Sequence, residues 1–128
     1  MADGSRKKAR PSHSFTWPFT VMPLDRSNSR QYEGLIGTGG TFTFIPKADA
    51  IALGLRYQRN MSFKSANGRV ILMPTYAGRV EIDGVVIFTE VVGVAPGHPV
   101  LLGLAQLEQA GLKVDPAKGT LEHVPLRM

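Results

Sequence analysis

The sequence predicts an all-β domain, and three observations carry that reading. Fourteen glycines and nine prolines punctuate a chain rich in Val, Ile, Thr and Phe, a composition that suits short strands and tight turns better than a helical bundle. Phe15, Trp17, Phe19 and Val21 fall at alternate positions, the period that puts them on one face of a strand. Two dipeptides suited to hairpin turns, Asn67-Gly68 and Asp83-Gly84, separate long apolar and β-branched runs.

Taken in order, residues 1–13 read as a flexible basic tail and residues 14–128 as one domain, since 128 residues suffice for a single modest core. The strand around Phe15 to Val21 carries Pro18 and is followed by Pro23, which mark it as an edge or irregular strand. Asp25 to Arg30 form a polar hairpin loop, and Tyr32 to Ile36 return as a strand. Thr41 to Ile45 alternate Thr with Phe as a further strand, and Pro46 opens a short helix over Lys47 to Leu53 that Gly54 stops. Arg56 to Phe63 is a strand; Asn67-Gly68 makes a two-residue turn; Arg69 to Ile82 returns, bending or bulging at Pro74 or Gly78. Asp83-Gly84 then leads to a strand over Val85 to Val94. After the loop Ala95 to Pro99, a second short helix follows Val100-Leu101-Leu102-Gly103 and ends at Gly111. Leu112 to Val114 and Thr120 to Val124 close the chain as strands.

Composition narrows the chemistry. With no cysteine there is neither a disulfide framework nor a thiol nucleophile. His13, His98 and His123 stand in unrelated segments without ligand spacing, so no metal site is expected. No run reaches the roughly 20 apolar residues of a membrane-spanning helix, and no apolar leader core precedes the first strand, so a soluble cytoplasmic protein without membrane partners is expected. Of the formal charge of +5, Arg6, Lys7, Lys8 and Arg10 against Asp3 supply three units. The remainder is only mildly basic, which gives little reason to expect a nucleic-acid partner beyond what a charged tail could touch.

The stretch Leu35-Ile36-Gly37-Thr38-Gly39-Gly40-Thr41-Phe42-Thr43-Phe44-Ile45-Pro46 combines an apolar strand end, a glycine turn, a strand and a proline. A phosphate-cradling loop would need a helix directly after the glycines, where Thr41 to Ile45 read as a strand. The stretch resembles the active-site loop of the single-domain, retropepsin-like aspartic peptidases. Three further features occur in that family's order: the short helix ending Leu53-Gly54-Leu55, the Asn67-Gly68 hairpin at the place of the flap, and Val100-Leu101-Leu102-Gly103 with its following helix and strand. The resemblance spans about residues 15 to 124.

The resemblance implies a closed β-barrel of acid-protease type with one or two short helices, paired as a two-fold homodimer that cleaves extended polypeptide without a cofactor. It puts the family's catalytic aspartate at Gly37, an interaction across the dimer axis at Thr38 and a backbone turn at Gly39. A substrate-covering flap falls at Ala66, Asn67, Gly68 and Arg69, and support for the active-site loop falls at Leu101, Leu102 and Gly103. Glycine offers no group to activate water, so the chain as written is expected to be inactive. Two readings of Gly37 stand: an inactivating change in an active enzyme, or a natural pseudoprotease that keeps the groove as a peptide-binding module.

Overall fold

The computed structural model describes residues 15–36 and 41–125; the expected tail and the sites at Gly37, Thr38 and Gly39 lie outside the described residues. The strands are β1 (Phe15–Met22), β2 (Arg30–Ile36), β3 (Phe44–Pro46), β4 (Arg56–Lys64), β5 (Val70–Ile82), β6 (Val85–Val94), β7 (Leu112–Asp115) and β8 (Thr120–His123). Among the described residues two short helices interrupt them, α1 (Lys47–Leu53) and α2 (Leu104–Gln109). The protein is thus mostly β, as its turn-rich composition requires.

Six strands share one sheet in the order β2-β1-β5-β6-β3, with β4 pairing β5 off that path, while β7 and β8 form a separate hairpin. Phe19, Val21, Val80, Ile82 and Val91 fill the core between these elements. The inward face of β1 is the one its alternation marks: Phe19 and Val21 are buried, and the Phe19 ring stacks on Tyr32 at 5.5 Å. Each such buried side chain contributes about 1.5–3 kcal/mol of apolar transfer free energy.

Four local expectations need correction. β1 is not an edge strand, because it pairs with β2 along its length and with β5 at Thr20–Met22. Pro18 is tolerated because it lies in the half of β1 that has only one neighbour. The strand after the glycine stretch covers only Phe44–Pro46, since Thr41 to Thr43 turn their hydrogen bonds to α2 and β6 instead of to a ladder. The Asn67-Gly68 turn is a three-residue loop: Gly68 N–H donates to Ser65 C=O at 2.9 Å, and of the loop residues only Gly68 takes positive φ. The irregularity near Pro74 lies on the other strand, where the β4 register shifts between Tyr57 and Arg59 opposite Tyr76 and Thr75.

Other turns follow their residues. Asp83 and Gly84 take φ of 51° and 83°, as a two-residue turn between Ile82 and Val85 demands. Helix α1 stops at Gly54, whose φ of 81° lets its N–H reach Ile51 C=O and the following Leu55 N–H reach Ala50 C=O.

The ends of the sheet path, β2 and β3, meet through one residue. Leu101 bridges Leu35 in parallel and Phe44 in antiparallel fashion. Directly after it, Gly103 passes so close to the chain that a Cβ there would stand 2.3 Å from the Phe42 carbonyl carbon. Gly103→Ala should therefore lower stability by about 1–3 kcal/mol, the usual cost of forced overpacking, read as a reduced urea midpoint with unchanged slope; an unaltered midpoint would show that the crossing is loose.

Candidate functional site

The site is assembled around residues 100–103. Leu35 N–H donates to Val100 C=O at 2.9 Å and Leu102 N–H to Leu35 C=O at 3.0 Å. On the other side Phe44 N–H donates to Leu101 C=O at 3.0 Å and Leu101 N–H to Phe44 C=O at 3.1 Å. The chain segments on both sides of residues 37–40 are thereby tied to one strand-like run, and buried Leu102 anchors that run in the core. Of the residues expected to support the loop, Leu101, Leu102 and Gly103 all stand here.

A buried polar network reinforces the same place. Thr43 and Gln106 are 0 % and 2 % exposed, so their polar atoms require partners. Gln106 Oε1 accepts from Thr43 N–H at 3.0 Å and from Thr43 Oγ1 at 2.9 Å. Thr43 Oγ1 in turn accepts from Gly103 N–H at 2.9 Å. The Gln106 amide donates to Thr89 Oγ1 at 3.1 Å and to Glu90 C=O at 3.2 Å. One side chain of α2 thus joins the segment after the glycines to β6.

A groove of about 710 Å³ opens beside Thr41, the first described residue after the glycine stretch. Phe42, Phe44 and Leu101 form its floor, the β4–β5 hairpin contributes Phe63, Ile71 and Leu72, and the end of β6 with His98 completes the wall. Phe63 stands edge-on to both Phe42 and Phe44, with ring centroids 6.0 and 5.8 Å apart, and Phe44 lies 5.3 Å from His98. Such contacts hold apolar rings without filling the space between them.

Ala66, Asn67, Gly68 and Arg69 sit at the end of the β4–β5 hairpin, as the sequence suggests, but none of them lines the groove. The lining comes from residues further down both strands, which sequence reasoning missed. The alternation of Phe42 and Phe44 with Thr41 and Thr43 was the available signal: Thr43 turns inward to Gln106, which leaves both rings facing the groove.

A second polar cluster lies away from the glycine stretch. Arg59 grips Glu90 with two hydrogen bonds of 2.9 Å, and Thr75 Oγ1 donates to the same carboxylate. The guanidinium holds the Glu90 carboxyl below its usual range. Across α1, Tyr32 donates its hydroxyl to Asp49 at 2.8 Å, and burial with this carboxylate raises the tyrosine pKa. Among the described residues no group of His, Asp and Glu side chains is placed to hold a metal ion, and no helix is long and apolar enough to cross a membrane.

A mostly β domain with a peptide-sized groove between a glycine-flanking segment and a long hairpin has the build of an aspartyl-protease-like domain. Residues 26–109 match the family model described as gag-polyprotein putative aspartyl protease. That match covers more than half of the chain, which therefore belongs to this family. No curated protein matches the sequence.

The network makes a quantitative demand. Gln106→Leu orphans the buried Thr43 N–H and leaves its hydroxyl without an acceptor, at about 1–3 kcal/mol for each unsatisfied group. Chemical denaturation should register a loss of about 2–4 kcal/mol, and a loss below about 0.5 kcal/mol would remove the network from the account.

Proposed function

We propose that residues 14–128 form a peptidase-type domain that takes an extended polypeptide into the groove between Phe44 and the β4–β5 hairpin. The observation that carries this reading is the position of the groove: it opens beside Thr41, next to the glycine stretch, in a chain of the aspartyl-protease family. The hairpin end at Ala66 to Arg69 acts as the flap, pairing with the peptide main chain from above. The Leu101 bridges close the sheet into the barrel of the family.

Aspartic peptidases work with two carboxylates that share one proton, one activating water and the other donating to the scissile carbonyl. A chain with one glycine turn of this kind assembles such a pair only across a two-fold axis. In this reading two copies meet at Gly37, Thr38 steadies the contact across the axis, and Gly39 allows the backbone to turn. Gly37 stands where each copy would supply its aspartate, so the chain binds peptide without hydrolysing it. A natural pseudoprotease is the second reading, and the groove beside Thr41 supports it: a peptide has a volume to enter while position 37 carries no carboxylate.

Gly37→Asp discriminates. The variant should hydrolyse extended peptides at mildly acidic pH, at least about 10²-fold faster than the Gly37 chain, with inhibition by hydroxyl-bearing transition-state mimics. A folded, dimeric variant that cleaves nothing in a broad peptide library would refute the peptidase reading.

A further inference from the structure

We infer that the groove selects acidic peptides, taking a bulky apolar side chain between its rings and pairing flanking Asp or Glu residues with Lys47 and Lys64. The inference rests on the proposal that the groove is a peptide site. Among the described residues, Lys47, at the start of α1, and Lys64, at the end of β4, are the lysines that line the groove, and no Asp or Glu lines it. They belong to different walls, one to the body of the domain and one to the hairpin.

Neither lysine has an ion-pair partner among the described residues, whereas Asp49 on α1 and Glu90 on β6 are already engaged. Asp49, two residues along α1 from Lys47, is held by Tyr32 and lies 3.4 Å from Arg30 Nε. Glu90 on β6 is held by Arg59 and Thr75. The hairpin end from Lys64 to Arg69 carries two cations and no acid. A peptide entering between these walls meets positive charge on both sides, and among the described residues no carboxylate lines the groove to screen it. Acidic flanks are attracted, neutral flanks leave the ammonium groups solvated, and basic flanks are repelled.

The test uses the unaltered chain and three fluorescein-labelled ten-residue peptides with a central Leu-Phe, flanked by Glu, Gln or Lys, read by anisotropy at low and high salt. The Glu peptide should bind more tightly than the Gln peptide by up to about fivefold for each exposed pair formed. The Lys peptide should bind most weakly, and the spread should shrink at high salt. Combining Lys47→Gln with Lys64→Gln should abolish the preference, whereas Lys113→Gln, on β7 away from the groove, should leave it intact. Equal binding of all three peptides, or a preference that survives the double variant, would overturn acidic selection and leave the peptide site standing. Failure of every peptide to bind would overturn the peptide site itself, and acidic selection with it.

Discussion

One crossing holds this domain together: residues 100–102 run between the chain segments that flank residues 37–40. Without it β2 and β3 are the two unjoined ends of a sheet, and the glycine stretch connects arms that nothing aligns. Four backbone hydrogen bonds fix both arms to the same short run, each with a net value of about 0.5–1.5 kcal/mol. Gly103 follows because the run leaves against the Phe42 backbone, where only a residue without Cβ fits. The functional consequence is positional. The corner proposed at residues 37–40 needs rigid neighbours, and its described flanks are held by a segment distant in sequence.

The Thr43–Gln106 pair extends the same logic from backbone to side chains. A buried amide whose oxygen and nitrogen are both satisfied is specific about geometry, because a shift of the helix would orphan several groups together. Turning Thr43 inward also dictates that Phe42 and Phe44 face outward, where they become the floor of the groove. Core polarity and groove hydrophobicity are therefore one choice, made by the alternation of Phe42, Thr43 and Phe44 as the chain enters β3. Charge follows the same division: Asp49 is engaged by Tyr32 and Glu90 by Arg59 outside the groove, and among the described residues Lys47 and Lys64 line it with no Asp or Glu beside them.

Much of this was legible in the sequence where local chemistry decides the outcome. Asp83-Gly84 requires two residues of positive φ and adopts them; Gly54 ends α1; the apolar face of β1 shows in its alternation. Interactions across long sequence separation were not legible. The pairing of Thr43 with Gln106 is one of these, since only the fold brings the two together across 63 positions. Pro18 suggested an edge strand, yet the second neighbour of β1 begins only at Thr20. Asn67-Gly68 pointed to the correct hairpin with the wrong loop length, since Ser65 supplied the turn carbonyl and left Gly68 alone to take positive φ. The resemblance implied a groove but not its lining: Phe63, Ile71 and His98 meet there only because the fold gathers them.

The account depends on position 37 of one copy facing position 37 of another, and the absence of cysteine permits a direct measurement. A single Gly37→Cys substitution places one thiol at the proposed axis, and a disulfide forms only when the two Cα atoms come within about 7 Å. Mild oxidation should then convert the 13.9 kDa chain into a covalent dimer, while an Glu122→Cys control on β8 stays single. A Gly37→Cys chain that remains at single mass, with its thiol freely modified by glutathione, would contradict the paired arrangement.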